Sequence, residues 1–378
     1  MGISVGVPKE TAPGERRVAL VPEVVARLVK QGVTLRIQST AGESAGYPDD
    51  AYAKAGATIV PDAAGAFSSE IVLKVQGPSI AEVALIPRSS ILVAQMNASR
   101  NLPMVRALRD GGQTAFALEL LPRISRAQSM DVLSSQATVA GYRAALIGAE
   151  LVPKFFPMLT TAAGTIRPAK VLVLGAGVAG LMAIATAHRM GAIVEGYDVR
   201  RAAGEQVRSL GAKFLELQIN AEGQGGYARE LTPEEKAQEA AMVDGAVADA
   251  DVVITTAAIP GRKAPILVRA PTIEKMRPGS VIVDLAAETG GNCELTKPGE
   301  RIVHHSVTIV GPLNLPSDLA FHASLMFAKN LQSFLGLLLT KDGGLVADRS
   351  DEILVASQLV SAGQITHAPT RELVEKSP

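Results

Sequence analysis

The segment that most constrains this chain is Lys170–Arg200. Four apolar, β-prone residues, Val171–Leu174, lead directly into a Gly-Ala-Gly-Val-Ala-Gly turn, and an alanine-rich helical pattern follows as far as Met190. A second predicted strand, Ile193–Tyr197, then ends at Asp198. This order of strand, turn, helix and strand is typical of the first unit of a doubly wound, parallel α/β sheet.

Each glycine of the turn has a separate expected role. Gly175 permits the tight turn, Gly177 lets the backbone approach a pyrophosphate, and Gly180 lets the helix pack closely on the strand. The N-terminus of the helix that follows presents free N–H groups to phosphates, and Val178 of the turn is counted among the cofactor-binding residues. Asp198 stands 18 residues after Gly180 (198 − 180), where its carboxylate can accept a hydrogen bond from a ribose hydroxyl. We predict a dinucleotide site here rather than a turn that serves only packing, and NAD(H) rather than NADP(H), because the carboxylate repels a 2′-phosphate.

Residues in two neighbouring places extend this predicted site. Val199 and Arg200 follow the strand directly and can lie near the adenosine ribose, although Arg200 fits a solvated charge at a helix start equally well. Ala258 lies in a loop of small residues after the strand predicted at Asp251–Thr255. Rossmann-type sheets bind ligands at such carboxyl ends, so we include Ala258 among the cofactor-binding residues.

Length and composition restrict the remaining possibilities. A chain of 378 residues is too long for one typical core, so two domains are expected. The 37 basic and 37 acidic residues balance, and aromatic residues make up only 3%, which argues against nucleic acid or an anionic membrane surface as a partner. A single cysteine, Cys293, excludes an internal disulfide framework and fits a reducing compartment. The apolar run Leu319–Thr340 is interrupted by His322, Lys329 and Asn330, so we predict no membrane span there.

The order of the predicted elements indicates how the two domains are arranged. Short apolar runs alternate with amphipathic segments through the first 120 residues, as in parallel βαβ units. Small residues in a helical pattern at Ser134–Val152 predict a linker helix, and a second long helix, capped by Ser317, suggests a return to the first domain. We therefore predict two Rossmann-like α/β domains with parallel sheets, joined by long linker helices. Residues 1–133 and 325–378 form the first, discontinuous domain, and residues 134–324 form the NAD(H)-binding domain; two domains in series are the alternative.

Several motifs resemble the alanine dehydrogenase and transhydrogenase superfamily, over nearly the whole chain. The motifs similar to the start of that superfamily are Val7–Glu10, Arg16–Val18 and Val72–Gln76. Those similar to one branch, the NAD(H)-binding component (domain I, in the alpha subunit) of proton-translocating NAD(P) transhydrogenase, are Pro122–Asp131, Ser134–Gln136, Gly225–Tyr227 and Asp284–Asn292.

This resemblance implies an NAD(P)+ transhydrogenase of the Re/Si-specific type, active only with its partner subunits. A hydride would pass directly between NAD(H) on this chain and NADP(H) on a partner subunit, and a transmembrane subunit would couple that transfer to proton translocation. The resemblance also implies a homodimer. The chain would then be cytoplasmic, peripheral on the inner face of the cell membrane through its partners, without inserting into the membrane itself.

The Pro122–Asp131 motif offers side chains suited to holding a nicotinamide. Direct hydride transfer needs positioning and exclusion of water rather than an acid or base. Gln128 offers a donor and an acceptor for the carboxamide, Arg123 a fork for pyrophosphate or carboxamide oxygens, Asp131 a carboxylate that orients either, and Ser134 a hydroxyl. The alternative is structural: Asp131 caps a helix and Arg123 forms a surface ion pair.

Gly226 and Tyr227 belong to a stretch that the resemblance identifies as the family's mobile loop. A tyrosine in such a glycine-flanked setting can close over a bound nucleotide as a lid. The alternative is an exposed loop aromatic without a role.

Two other functions compete with transhydrogenation. An alanine dehydrogenase-like enzyme needs carboxylate anchors, and Arg17 and Lys74 match the positions of such residues in the superfamily. However, Gln95 stands at the position of the acid/base histidine, and Glu288 at that of the late aspartate. Since glutamine does not exchange a proton near neutral pH, oxidative deamination would lack its acid/base group. The third hypothesis is an NAD-binding sensor without catalysis.

The histidines do not suggest a metal site from their positions in the sequence. None of them falls at a plausible catalytic strand end, and no cluster has metal-ligand spacing. We therefore predict no metal and expect surface or packing roles for all five: His188, His304, His305, His322 and His367.

Overall fold

Two separate units make up the structure, a computed structural model that describes residues 2–216, 232–257 and 263–377. The N-terminal unit comprises Met1–Gln136 and Pro316–Pro378, and the central unit comprises Ala137–Leu315. The chain thus passes from one unit to the other between residues 136 and 137 and returns between residues 315 and 316. The boundaries predicted from the sequence lie between residues 133 and 134 and between residues 324 and 325. Each unit has its own sheet of mainly parallel strands. The predicted fold class, two Rossmann-like domains of which the first is discontinuous, is confirmed.

Strands and helices alternate along most of the chain. The strands are β1 (Ser4–Val7), β2 (Thr34–Gln38), β3 (Thr58–Val60), β4 (Ile71–Gln76), β5 (Ile91–Gln95), β6 (Thr114–Ala117), β7 (Leu159–Thr161), β8 (Gly164–Ile166), β9 (Lys170–Leu174), β10 (Ile193–Tyr197), β11 (Lys213–Phe214), β12 (Val252–Thr255), β13 (Val281–Asp284), β14 (Arg301–His304), β15 (Val307–Val310), β16 (Gln358–Ser361) and β17 (Gln364–Ile365). The α-helices are α1 (Pro22–Lys30), α2 (Asp49–Lys54), α3 (Ala63–Phe67), α4 (Ile80–Val83), α5 (Leu102–Gly111), α6 (Val132–Leu151), α7 (Val178–Arg189), α8 (Ala203–Ser209), α9 (Pro233–Asp249), α10 (Ala270–Ile273), α11 (Ala320–Leu338), α12 (Glu352–Ser357) and α13 (Ala368–Lys376).

The sheet of the N-terminal unit has the order β17-β16-β6-β5-β4-β1-β2-β3. Strands β1 to β6 pair in parallel, and β16, from the end of the chain, adds antiparallel to β6. Four residues of β5, Ile91–Ala94, are buried in succession, because helices cover both faces of a parallel sheet. The C-terminal segment is therefore an integral part of the first sheet.

The sheet of the central unit has the order β11-β10-β9-β12-β13-β15-β14. The strands from β11 to β15 are parallel, and β14 forms an antiparallel hairpin with β15 at one edge. The chain moves from β9 to one side and returns to its other side at β12. The loop after β9 therefore lies at a topological switch point, where open α/β sheets bind ligands.

Both long helices, α6 and α11, were predicted, but the predicted N-cap residue of α11 was wrong. Helix α11 buries a regularly spaced apolar face that includes Phe327, Leu331 and Phe334. Its N-cap is Leu319 rather than Ser317, and the hydroxyl of Ser317 instead donates to Glu15 Oε1 at 2.6 Å. A long-range acceptor thus replaces the local capping bond. Within the described ranges, none of the helices combines the length and apolar character needed to cross a membrane.

Some elements escaped prediction because their sequence signals are short. Strands β7, β8 and β14 each consist of only three or four residues, and none of the three contains a buried apolar run. Strand β6 ends at Ala117, and a 3₁₀ turn follows at Leu118–Leu120. In that turn the carboxylate of Glu119 accepts hydrogen bonds from the backbone N–H groups of Met96 and Ala98.

Candidate functional site

The glycine turn after β9 contains two glycines that the protein itself requires. Gly175 has a positive φ of 104°, and a Cβ there would lie 2.5 Å from Thr256 Oγ1. A Cβ on Gly180 would lie 1.8 Å from the carbonyl oxygen of Gly175, which no L side chain tolerates. Gly177 is different, because a Cβ there would have no heavy atom within 4 Å. The backbone at Gly177 therefore borders open space without a side chain, as a closely approaching ligand requires.

Helix α7 starts directly beside that open position. Its N-cap is Gly177, and no side chain from the described residues caps it. The N–H groups of the first turn are consequently available to an acceptor, and the helix dipole adds partial positive charge there. Val178, the first helical residue, is exposed. This end of the helix can bind a phosphate group.

Asp198 follows β10 and faces the glycine turn. Its Oδ2 accepts a hydrogen bond from the N–H of Ala176 at 2.8 Å, and its Oδ1 accepts from the N–H of Arg200 at 2.8 Å. The Arg200 guanidinium also donates to both oxygens, at 2.9 and 3.0 Å. Burial by itself would raise the pKa of Asp198, but the bonds from Arg200 and Ala176 outweigh it and lower the pKa. Asp198 is therefore a carboxylate anchored beside the turn.

The contacts of Asp198 limit how it can take a ligand. A carboxylate has about four lone-pair positions, and Ala176 and Arg200 supply donors to all of them. The Asp198 side chain is 8% exposed, whereas that of Arg200 is 65% exposed. The guanidinium is therefore the partner that a ribose hydroxyl can displace. Val199, between them, is exposed and makes the turn away from the sheet.

A buried polar network at the ends of β12 and β13 was not assigned a role from the sequence. The Asp284 carboxylate, fully buried, accepts hydrogen bonds from Thr255 Oγ1, Thr296 Oγ1 and the N–H groups of Ala286, Asn292 and Cys293. The Asn292 side chain in turn bonds the backbone of Ala257 in both directions. These bonds fix the loops at the carboxyl edge of the sheet. A fully apolar strand that ends in an aspartate, Val281–Asp284, is the sequence signal that could have indicated this network.

The candidate residues of the N-terminal unit lie in a 3₁₀ segment, Ser125–Met130, and on either side of it. Arg123 and Gln128 are exposed, and their side chains have no hydrogen-bond or ion-pair partner among the described residues. Asp131 accepts hydrogen bonds from the N–H of Ser134 at 2.9 Å and from its hydroxyl at 2.6 Å. Asp131 thus caps helix α6, as the structural alternative for this residue predicted. The same contact fixes the orientation of the Asp131 and Ser134 side chains relative to each other.

The neighbouring Arg126 has a structural role. Its guanidinium forms ion pairs with Asp351, at 2.6 Å, and with Glu352, at 3.1 Å. Asp351 also caps helix α12 through the N–H of Ile353. These contacts hold the Ser125–Met130 segment to the C-terminal part of the same unit.

Arg17 is fully enclosed by polar partners of the N-terminal unit. Its guanidinium bonds both carboxylate oxygens of Glu15, at 2.8 and 2.7 Å, and Gln136 Oε1 at 2.8 Å. Burial by itself would raise the pKa of Glu15, but the bonds from Arg17 and from Ser317 outweigh it and hold the pKa at about 2. The pair is thus a buried, fully ionised bridge.

Lys74 lies between two carboxylates of the same unit. Its Nζ is 3.1 Å from Glu10 Oε2 and 3.1 Å from Glu82 Oε1, and only 1% of its side chain is exposed. Burial raises the pKa of Glu10, despite the opposing charge of Lys74. Gln95, which was predicted to replace the acid/base histidine of a dehydrogenase, lies at the end of β5. Both basic residues are therefore already paired within the protein.

Other predicted residues are placed elsewhere or lie outside the described ranges. Glu288 belongs to a 3₁₀ turn after β13 and accepts a hydrogen bond from the N–H of Asn314 at 3.0 Å. Gly226, Tyr227 and Ala258 lie outside the described residues.

Comparison with known proteins identifies the family. Sequence profiles described as "Alanine dehydrogenase/PNT, N-terminal domain" and "Alanine dehydrogenase/PNT, C-terminal domain" match residues 6–140 and 144–368. The chain belongs to the alanine dehydrogenase/PNT family. Over 376 residues it is 49% identical to an NAD(P) transhydrogenase subunit alpha chain of Rhodospirillum rubrum, covering 97% of this chain and 98% of that one.

Solved structures of both branches of the family are similar to this chain. The transhydrogenase from Sinorhizobium meliloti is 42% identical, with a TM-score of 0.86, over 97% of this chain and 99% of that one. An L-alanine dehydrogenase is 29% identical, with a TM-score of 0.84, over 99% of both chains. Because the TM-scores are so close, the fold does not separate the two branches.

Proposed function

We propose that this chain is the NAD(H)-binding component of an NAD(P) transhydrogenase. The observation that carries the proposal is the glycine turn: open space beside Gly177, an uncapped helix start at Val178 and an anchored carboxylate at Asp198. These features suit a pyrophosphate and an adenosine ribose. The similarity to a transhydrogenase alpha subunit supports an oxidoreductase role.

In this proposal the nucleotide is bound along Gly175, Gly177, Val178 and Gly180. The ribose hydroxyls bind Asp198 after the Arg200 guanidinium moves aside, and Arg200 and Val199 then line the adenosine. Gly226 and Ala258 complete the set of cofactor-binding residues. The negative charge of Asp198 excludes a 2′-phosphate, so the chain takes NAD(H) rather than NADP(H).

The reaction is a hydride transfer between two nicotinamides. NADH on this chain gives its C4 hydride to NADP+ on a partner subunit, which leaves NAD+ and NADPH, and no proton needs to be exchanged by a side chain. The protein's role is to position the ring and exclude water. Gln128 and Arg123 are suited to this because both side chains are exposed and unpaired in the described structure.

Asp131, Ser134 and Tyr227 complete the proposed catalytic set. Asp131 and Ser134 hold one another by two hydrogen bonds, so that either can present an oxygen in a fixed direction. Tyr227 closes over the nucleotide. The partners of the complex are an NADP(H)-binding subunit and a transmembrane subunit that translocates protons. The chain acts as a homodimer, peripheral on the inner face of the membrane through these partners.

The test is hydride transfer from NADH to thio-NADP+ after the purified chain is mixed with an NADP(H)-binding partner subunit. We expect transfer by the wild type and a large loss of kcat in Gln128→Asn, with little change in the affinity for NADH. Asp131→Asn is the second variant, because asparagine still caps a helix while the charge is removed. If both variants transferred hydride at the wild-type rate, these residues would not be catalytic.

A second candidate, alanine dehydrogenase, is favoured by the shared fold and by the 29% identity to an L-alanine dehydrogenase. The enclosed pairs of Arg17 with Glu15 and of Lys74 with Glu10 and Glu82 oppose it, since they leave no cation to anchor an amino-acid carboxylate. We expect no alanine-dependent reduction of NAD+. An NAD sensor, the third candidate, would bind NADH but give no thio-NADPH in the mixing experiment.

A further inference from the structure

The hairpin between β14 and β15 has an unusual turn at the edge of the central sheet. His304 pairs with Val307, so that the turn consists of His305 and Ser306, and both have positive φ angles, 47° and 61°. Two-residue turns of this kind favour asparagine and glycine because they need a left-handed backbone. Histidine and serine hold that conformation here at some conformational cost.

The left-handed backbone brings two imidazole rings together. Successive side chains of an extended strand point to opposite faces of the sheet. The turn removes this alternation, and the ring centroids of His304 and His305 lie only 4.7 Å apart, tilted by 47°. Adjacent histidines thereby point to a common place.

A carboxylate from a distant region of the chain lies beside both rings. Glu274, directly after helix α10, places its Oε1 3.6 Å from His304 Nε2 and 3.8 Å from His305 Nε2. Both distances exceed those of a hydrogen bond. In addition, His304 Nε2 is shielded from solvent and has no hydrogen-bond partner among the described residues. One ligand-type atom from each of these three residues thus lies within 4.8 Å of the other two.

We propose that Glu274, His304 and His305 form a zinc site, with water as the fourth ligand. Zinc lies about 2.0–2.2 Å from imidazole nitrogen and carboxylate oxygen, so two ligand atoms of a tetrahedral site are about 3.4 Å apart. The distances from Glu274 Oε1 to the two imidazole nitrogens, 3.6 and 3.8 Å, are slightly wider, and all three ligand atoms lie within 4.8 Å of one another. Rotations of these partly exposed side chains would bring the three atoms to the tetrahedral spacing. Two imidazoles and one carboxylate are a ligand set that zinc commonly takes.

The site is remote from the nucleotide turn. The turn at His305 precedes β15, which runs parallel to β13, so it lies at the amino edge of the sheet. The glycine turn and Asp284 lie at the carboxyl edge. The ion therefore has a structural role: it joins the end of α10 to the β14–β15 hairpin at the edge of the sheet.

Metal titration of the chelator-treated, full-length protein tests the proposal. Co²⁺, the spectroscopic substitute for zinc, should bind at one ion per chain with the visible absorption of a tetrahedral site, and Zn²⁺ should displace it. His304→Ala, His305→Ala and the isosteric Glu274→Gln should each weaken Zn²⁺ binding at least about tenfold, because even the loss of an outer-shell partner weakens metal binding by about that factor.

The matched control is His322→Ala, which removes an exposed histidine of the N-terminal unit. It should bind Zn²⁺ as the wild type does. Zn²⁺ should also raise the midpoint of thermal unfolding of the wild type and of this control, but not of the three site variants. NADH binding should be equal in all of them. The absence of stoichiometric binding, or binding that is unchanged in the three site variants, would overturn the proposal and leave the three residues as a surface ion pair.

Discussion

Substitution of Gly177 by alanine should separate ligand binding from folding. The position has φ −79° and ψ −169°, an extended backbone that any residue adopts, and an added methyl group meets no protein atom within 4 Å. Folding should therefore be little affected, because the smaller conformational freedom of the unfolded chain, about 0.4–1 kcal/mol, offsets the poorer N-cap that alanine provides. The methyl group instead enters the space that we assign to the pyrophosphate.

The expected loss of affinity follows from the hydrogen bonds at this helix start. Displacement of the phosphate breaks at least one hydrogen bond to a charged group, which contributes about 1.5–3 kcal/mol. At about 1.4 kcal/mol for each factor of ten, NADH should bind about 10- to 150-fold more weakly. Titration of NADH fluorescence measures the Kd, and thermal unfolding measures stability on the same samples.

Gly180→Ala is the matched control from the same turn. Its methyl group would lie 1.8 Å from the Gly175 carbonyl oxygen, so the helix or strand must shift, at about 1–3 kcal/mol of unfolding free energy. Gly177→Ala should thus lose affinity for NADH without losing stability, whereas Gly180→Ala should lose stability. Wild-type NADH affinity in Gly177→Ala would refute the assignment of this turn to the pyrophosphate, and unchanged stability in Gly180→Ala would refute the packing argument.

Three further predictions concern buried or capping carboxylates. The pKa of Glu15 in the folded chain is about 2 instead of 4.5, so its stabilisation is present above pH 4.5 and is lost as the pH falls towards 2. Glu15→Gln should therefore remove about 3 kcal/mol of this acid dependence, as measured by denaturant titrations at several pH values, and an unchanged pH dependence would contradict the prediction. Asp284→Ala leaves the donors of Asp284 unpaired and should destabilise the central unit by about 3–5 kcal/mol in urea unfolding. Thr296→Val loses only one hydrogen bond and should cost about 1 kcal/mol, so equal losses in the two variants would contradict the network. Asp131→Ala removes the N-cap of helix α6 and should lower the unfolding free energy by about 1 kcal/mol. Asp131→Asn keeps a capping oxygen and should lower the unfolding free energy by less. An equal loss in both variants would mean that the charge rather than the cap stabilises the helix.

The features of the fold that could be predicted are those with local signals. The glycine turn, the strand before it and Asp198 after the next strand form one continuous segment, and its structure follows the predicted order. The return of the chain to the first sheet was also predicted, because a long apolar helix after the last strand needs a surface to cover. Such features depend on neighbours in the sequence or on composition.

The features that could not be predicted depend on partners far away in the chain. Serine is a common residue at helix N-caps, but the hydroxyl of Ser317 donates a hydrogen bond to Glu15, 302 residues away. The Asp198 carboxylate was placed correctly after its strand, yet its pairing with Arg200 depends on the geometry of the turn. Glu274 reaches His304 and His305 only because the hairpin folds back, so no spacing in the sequence indicates the cluster.

The buried charges of the N-terminal unit oppose amino-acid oxidation by this chain, which agrees with the function that we propose. Glu15 pairs with Arg17, and Glu10 and Glu82 each lie 3.1 Å from Lys74 Nζ, so that both buried cations already have carboxylate partners. An amino-acid carboxylate would have to displace one of these carboxylates from a buried cation, and this costs several kcal/mol when one partner of a buried pair is left alone. Removal of Glu15 alone would free Arg17, but Gln95 would still supply no proton exchange. Restoring amino-acid oxidation therefore requires at least two changes, a freed cation and a histidine at position 95, and we expect either change alone to leave alanine-dependent NAD+ reduction undetectable.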